Sequence, residues 1–352
     1  MKSKSYFIIL LLFAMFTSCN DLSEMDLLDD PKSIKPNQTN IELLNSSIQL
    51  SFKDFQYELH LIADGIVRYT SLNAFSYQDA LRAEVGDKVW NVAYSEFLPD
   101  AELLISIAQD KGLYIYEGRV KILKSYVLTT LVDFFGDIPV IERAPDLTFS
   151  PELVEGSLVY DKANQLLSEA IELLSEEGIE PETDLYYEGN NENWVKLAWT
   201  LKLRNALYTS RIRNNLDVIF DIVHYEDLIE SNDESFLFRY GKERDAPPSR
   251  HPLYEEYYGN GSREYLGNYF MWTIIGEKRN GTGSRIYDPR SGLYVYRQFW
   301  NIKDLEAEGV LCYNETYSQD LEIPDHYSLI DPNLPYCVAS LYGYYGRDHG
   351  NG

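Results

Sequence analysis

The sequence predicts a mostly α-helical protein in which antiparallel helix pairs stack like tetratricopeptide repeats, followed by a loop-rich, Tyr-rich second part. Three observations predict this. Residues 40–213 carry apolar side chains spaced three or four positions apart, and Gly and Pro interrupt the pattern at short intervals. From residue 214 onward, long helical patterns disappear. The strict 34-residue tetratricopeptide pattern is absent, so the repeat prediction rests on helix length and spacing alone.

The first 18 residues form a predicted signal peptide. Lys2 and Lys4 precede an apolar run of 11 residues, Tyr6 to Phe16, which is too short to span a bilayer. Small residues then lead into Cys19, and this arrangement resembles the lipobox of bacterial lipoproteins. We therefore expect Cys19 to carry a lipid, although an ordinary signal peptide followed by an unrelated cysteine would look similar.

An acidic tether is predicted over residues 19–39. It begins with a concentration of carboxylates: Asp21, Glu24, Asp26, Asp29 and Asp30. Such a polar leader after a lipid anchor is expected to be solvated. In lipoproteins of the Bacteroidetes type, acidic residues at this position also mark export to the cell surface.

Five helices are predicted between residues 40 and 213. Asn40 caps the first, Asp100 precedes the second, and Gly112 ends the second. The third ends at Gly136, and Ser157 caps the fourth. The fifth begins near residue 193 and has basic residues in its last turns, which suits the negative end of a helix dipole.

The second part, residues 214–352, is rich in aromatic side chains. Residues 251–352 hold 15 of the 29 tyrosines. Flat rings with a polar tip suit the binding of sugar faces or peptides. We predict ligand contacts at Tyr257, Tyr258, Tyr265 and Trp272, against the alternative that each ring packs in a core.

Composition excludes several classes of protein. The formal charge is −25, which argues against nucleic-acid binding and against electrostatic docking on anionic lipid. The chain is 45% hydrophobic, as in a globular protein. Contact with a membrane is therefore expected through the lipid anchor only.

Two cysteines remain after Cys19. Cys312 and Cys337 could form a disulfide in an exported protein, or they could be two unpaired buried thiols. The sequence does not decide between these alternatives, because pairing depends on geometry.

Signatures of catalysis and of metal binding are weak. The five histidines are scattered and no His-Glu-x-x-His occurs. Asp133 with Asp137, and Asp348 with His349, could be read as catalytic or metal-binding pairs, but caps and turns explain them better. We predict no catalytic residue, no metal site and no cofactor, and hence no enzyme.

An ordered set of motifs resembles one known family. The motifs are Lys121-Ile122-Leu123-Lys124-Ser125-Tyr126, Leu131-Val132-Asp133-Phe134-Phe135-Gly136-Asp137-Ile138-Pro139, Trp194-Val195-Lys196-Leu197-Ala198-Trp199, Tyr287-Asp288-Pro289-Arg290 and Gly346-Arg347-Asp348-His349-Gly350. Together with the lipobox, they resemble the SusD/RagB family of nutrient-binding outer-membrane lipoproteins. Family members normally continue well past the last motif, so the resemblance implies that residues 214–352 form an incomplete, C-terminally truncated part.

The resemblance implies a function. It implies a lipid-anchored protein of the outer membrane, facing the cell exterior, that binds a nutrient, in particular a glycan. It also implies a SusC-like TonB-dependent transporter as the partner. Two alternatives stay open at this point: a surface glycoside hydrolase, and a helical-repeat scaffold without a small-molecule ligand.

Overall fold

Helices make up most of the chain that the computed structural model describes, which confirms the mostly α prediction. The described residues are 40–70, 82–141, 152–244 and 248–254, with 266–267, 270–271, 273–274, 280–284, 286 and 288–291. Within these ranges no helix combines the length and the apolar character needed to cross a bilayer.

Helix α1 spans Ile41–Ile66 and begins as the sequence predicts. The Asn40 side chain accepts hydrogen bonds from the backbone N–H groups of Glu42 and Leu43, at 2.9 and 3.4 Å. This cap satisfies donors that the first helical turn leaves without partners. The buried face of α1 includes Ile48, Phe52 and Phe55, which have the i, i+4 and i+7 spacing that the apolar pattern indicates.

The next helical stretch is longer than the sequence indicates. A 3₁₀ turn, Ala83–Gly86, leads into α2, Asp87–Asn91. A π-helical segment, Val92–Phe97, continues directly into α3, Leu98–Lys111. Gly112 ends α3 with φ of 65°, a conformation that glycine adopts readily and that the predicted stop requires.

Helix α4, Tyr114–Phe135, lies at the centre of the fold. Only one residue, Leu113, separates Gly112 from α4, so α3 and α4 are antiparallel neighbours. Most of α4 is buried, including the charged residues Glu117, Lys121 and Lys124. Lys121 Nζ lies 2.7 Å from carboxylate oxygens of both Glu117 and Glu169, and Lys124 pairs with Glu102 of α3. Buried ammonium groups require such partners.

A short antiparallel pair of strands connects α4 to the next helix. Strand β1, Ile138–Pro139, pairs with β2, Leu153–Val154, in the register Ile138 to Val154. Helix α5 then spans Gly156–Leu174. The predicted Ser157 cap is wrong: Glu155 occupies the cap position, and Ser157 lies inside the first turn. The Gly156 N–H instead donates to Asp137 Oδ1 at 2.9 Å, so a carboxylate from the preceding loop satisfies this donor.

The remaining described helices are α6, Asn191–Tyr208, α7, Leu216–Tyr225, and the single turn α8, Pro252–Tyr254. Asn190 caps α6 by accepting from the N–H of Asn193 at 3.1 Å. In α7 the side chain of Ile222 is buried, whereas Leu216, Phe220 and Val223 are exposed. The core therefore lies among α1 and α3–α6 rather than around α7.

Neighbouring helices pack in chain order. Helix α4 packs against α3 and α5, α5 against α6, and α6 against α7, while α1 packs against α3, α4 and the π-helical segment. The helix stack is as the sequence predicts. One side of α1 faces the chain segment that follows residue 235, and a cleft lies between the two.

Candidate functional site

A cleft of about 340 Å³ opens between α1 and the chain segment 236–251. Its volume lies near the lower end of the range typical of small-molecule sites. Helix α1 contributes Phe52, Lys53, Gln56, Tyr57 and His60 to the lining. The other lining residues are Tyr126, Tyr186, Phe236, Leu237, Phe238, Tyr240 and His251.

Aromatic rings form the floor of the cleft. The ring of Phe52 is buried and lies 5.4 Å from Tyr126, 5.9 Å from Tyr186 and 5.8 Å from Phe236, measured between centroids. Tyr186 and Phe236 stack at 4.4 Å. Edge-to-face and stacked pairs of this kind contribute stability beyond the burial of area. The floor is therefore a rigid apolar surface.

One wall comes from an alternating segment. Phe236, Phe238 and Tyr240 are half-buried, whereas Arg239 and Leu237, which also borders the cleft, are exposed. Alternation of this kind is typical of extended backbone, in which successive side chains point to opposite sides. The alternation is visible in the sequence and is the signal that could have identified this wall, which the sequence-based predictions missed.

An imidazole lies between two tyrosines at the mouth. The His251 ring lies 4.5 Å from Tyr240 and 5.9 Å from Tyr57, both in edge-to-face geometry. Burial lowers the pKa of His251, and the nearby His60 and Lys53 lower it further. Its Nδ1 lies 3.2 Å from the backbone N–H of Leu253 and accepts a hydrogen bond from it. The ring is therefore neutral near pH 7 and acts as a third aromatic surface.

Polar groups also line this largely aromatic site. The Lys53 ammonium pairs with Asp54, and the Tyr186 hydroxyl donates to Gln49 O at 3.1 Å. The amide Nε2 of Gln56 is buried and has no hydrogen-bond partner among the described residues. The cleft thus combines flat apolar surfaces with one unsatisfied donor.

A carboxylate beneath the floor fixes the segment that carries Tyr186. Asp184 Oδ1 accepts from the backbone N–H groups of Tyr186 and Tyr187, at 3.0 and 3.1 Å. Its Oδ2 accepts from Gly189 N–H at 3.0 Å and from Trp194 Nε1 at 2.8 Å. Sequence reasoning missed this network, because its partners meet only in the folded chain.

The same carboxylate neutralises a buried guanidinium. Arg119 Nη1 lies 3.5 Å from Asp184 Oδ2, and Arg119 Nη2 lies 2.6 Å from Glu180 Oε2. Burial acts to raise the pKa of Asp184, but the hydrogen bonds from Trp194 and the backbone outweigh it and hold this pKa below its ordinary value. Asp184 is therefore ionised at neutral pH. Its hydrogen bond from the backbone N–H of Tyr186 holds that residue in the floor of the cleft.

The ring residues predicted as ligand contacts, Tyr257, Tyr258, Tyr265 and Trp272, lie outside the described residues and stay predictions. The described residues that follow Tyr265 contact the end of α1. Thr70 pairs with Leu266 in an antiparallel bridge, and Gly267 N–H donates to Tyr69 O at 2.9 Å. The chain therefore returns to the C-terminal end of α1 directly after Tyr265.

The three cysteines, Cys19, Cys312 and Cys337, also lie outside the described residues. Lipidation of the first and pairing of the other two stay predictions.

Three motif residues have structural partners. Asp133 accepts from the Tyr160 hydroxyl at 2.6 Å, and Asp137 accepts from Gly156 N–H. Arg290 forks onto Asp288, with Nη2 at 2.7 Å from Oδ2. Across the part of the chain with described positions, no three His, Cys, Asp or Glu side chains are grouped to hold a metal ion.

Comparison with protein-family models decides the identity of the chain. Residues 31–328 match the SusD-like family model described as starch-binding and associating with the outer membrane. The chain belongs to the SusD-like family. This confirms the resemblance that the ordered motifs carry, and the match covers the helix stack and both walls of the cleft.

Solved structures show the same fold. A SusD/RagB family protein of Bacteroides thetaiotaomicron matches with a TM-score of 0.57 at 20% identity, over 67% of this chain and 52% of that one. A chitin-binding protein matches with a TM-score of 0.59 at 19% identity, over 75% and 56%. A SusD homologue of Bacteroides fragilis matches with a TM-score of 0.55 at 19% identity, over 87% and 60%.

The chain spans between half and two thirds of the length of each of these three structures. A comparison with curated proteins finds no significant match.

Proposed function

We propose that this SusD-like protein captures a glycan nutrient in the aromatic cleft between α1 and residues 236–251. The aromatic lining is the observation that carries the proposal. Pyranose rings have apolar C–H faces that pack on aromatic surfaces, and Tyr and His add polar edges at low conformational-entropy cost. The family description, starch-binding, and the chitin-binding structural neighbour support the same ligand class.

We propose binding without bond chemistry. A glycosidase needs two carboxyl groups that face each other across the sugar. The described lining of the cleft includes no Asp or Glu side chain. Release of sugar products on incubation with a bound glycan would favour the glycoside hydrolase instead.

The proposed setting follows the sequence-based expectations. Residues 1–18 direct export, a lipid on Cys19 anchors the protein to the outer membrane, and the acidic tether places it at the cell exterior. There it works with a SusC-like TonB-dependent transporter. The family description, associating with the outer membrane, supports this location.

Replacing Tyr240 by Ala is expected to weaken glycan binding about tenfold or more, since the wall loses the ring that packs edge-to-face against His251. Isothermal titration calorimetry with a panel of starch, chitin and cellulose oligosaccharides measures the loss. Tyr225 of α7 is the matched control, because its ring is exposed and lies outside the cleft lining. Equal effects of Y240A and Y225A would exclude the cleft as the binding site.

A TonB-dependent barrel is expected to co-purify with the lipoprotein in near-equal amount. The experiment is a pull-down of the tagged chain from detergent-solubilised outer membranes, followed by mass spectrometry. Absence of a barrel from preparations in which the lipoprotein is abundant would contradict the transporter partnership. Recovery of other proteins together with failure to bind any oligosaccharide would favour the scaffold.

A further inference from the structure

Gln56 has an unusual position in the cleft. It follows Phe52 by one helical turn and precedes His60 by one turn, so these three side chains share a face of α1. All three line the cleft. The Gln56 Nε2 atom is buried and has no hydrogen-bond partner among the described residues. Buried donors almost always have a partner, so an orphan donor that lines a cleft is a candidate contact for a ligand that enters it.

Gln49, on the same helix, shows what a structural glutamine does here. Its Nε2 lies 3.2 Å from Thr183 O, and its Oε1 accepts from Leu185 N–H at 2.7 Å. Both ends of that amide bind the loop that leads to Tyr186. Gln49 therefore belongs to the scaffold, whereas the Nε2 donor of Gln56 lines the cleft and has no partner among the described residues.

The surroundings of Gln56 restrict the chemistry of the missing acceptor. Two of the polar groups that line the cleft already have partners: the Lys53 ammonium pairs with Asp54, and the Tyr186 hydroxyl donates to Gln49 O. A sugar hydroxyl buried here would bring a proton that also needs an acceptor. A carbonyl oxygen accepts without donating, so it satisfies Gln56 and adds no new unpaired group.

The aromatic floor adds a second requirement. Phe52, Tyr186 and Phe236 present apolar surface next to the donor. An acetamido group combines a carbonyl acceptor with a methyl group, and the methyl group suits such a surface. We propose that Gln56 makes the cleft selective for N-acetylated amino sugars, by donating from Nε2 to the acetamido carbonyl while the methyl packs on the rings. This inference rests on the proposed function, and it names the ligand class of that site.

The test compares two oligosaccharides that differ only at the acetamido position. Tetra-N-acetylchitotetraose and cellotetraose share length and β-1,4 linkage. Calorimetry with the full chain is expected to show about tenfold or greater preference for the acetylated ligand, because cellotetraose has a hydroxyl in place of the acetamido group and so lacks both the carbonyl acceptor and the methyl group.

Gln56→Leu is expected to abolish this preference while leaving the thermal midpoint of the free protein unchanged or raised, since it removes an unsatisfied buried donor. Gln49→Leu, the matched control, is expected to lower the midpoint and to keep the preference in the protein that remains folded. If Gln56 instead has a purely structural role, Q56L is expected to lower the thermal midpoint and to keep the preference for the acetylated ligand.

Two results would overturn the inference while the proposed function stands: equal affinity of the wild type for the two tetrasaccharides, or an unchanged preference in Q56L. Binding of a different glycan, lost in Y240A, would likewise retain the cleft and reject the acetamido selectivity. Failure of every oligosaccharide in the panel would reject the proposed function itself, and the selectivity with it.

Discussion

Replacing Asp184 by Ala is expected to lower the free energy of unfolding by about 3–5 kcal/mol, the range for breaking a buried ion pair from one side. The carboxylate is almost fully buried, with 2% of its side chain exposed. Its removal deprives the Arg119 guanidinium of its buried carboxylate partner. It also leaves Trp194 Nε1 and three backbone N–H groups without an acceptor. Urea unfolding followed by tryptophan fluorescence measures the change.

Glu180 supplies the control for this prediction. It pairs with the same guanidinium, but about half of its side chain is exposed. Exposed ion pairs contribute little, so Glu180→Ala is expected to cost about 1 kcal/mol or less. Equal losses in D184A and E180A would show that the buried carboxylate has no special role in the fold.

Sequence reasoning located the helices because their signals are local. The Asn40 cap and the glycine stops at 112 and 136 depend on neighbours a few residues away, and the structure has them where the pattern places them. The Ser157 cap failed because the competing partner, Asp137, comes from a loop 19 residues earlier. A local pattern cannot show that a distant carboxylate already satisfies the first donor.

The cleft could not be predicted from local patterns either, because it also depends on residues that are distant in the sequence. Its two sides, α1 and residues 236–251, are far apart in the sequence and meet only in the folded chain, where Phe52 contacts Phe236 and Tyr57 contacts His251. The Gln56 amide gives no signal in the sequence, because a glutamine on a helix is ordinarily solvated. Tyrosine enrichment drew attention to residues 251–352, whereas the described cleft draws its rings from residues 52–251.

Replacing Gly118 by Val is expected to lower the free energy of unfolding by about 3 kcal/mol, at the upper end of the cost of overpacking. Gly118 lies in α4 where that helix packs against α5. A Cβ at this position would lie 2.8 Å from Leu174 Cγ and 3.3 Å from the backbone oxygen of Ala170. The Leu174 side chain is able to rotate, but the backbone of α5 has to move away from α4.

Gly281→Val is the matched control, since a Cβ on Gly281 meets no heavy atom within 4 Å. Its effect on unfolding is expected to stay within about 0.5 kcal/mol. Gly118→Ala separates two contributions: alanine favours the helix by about 1 kcal/mol over glycine, but its methyl group meets the same two contacts. Because the Ala170 oxygen is fixed in α5, the contacts are expected to outweigh the helical preference, and G118A is expected to unfold at lower urea than the wild type. A stabilised G118A would mean that α4 and α5 separate more easily than their close approach implies.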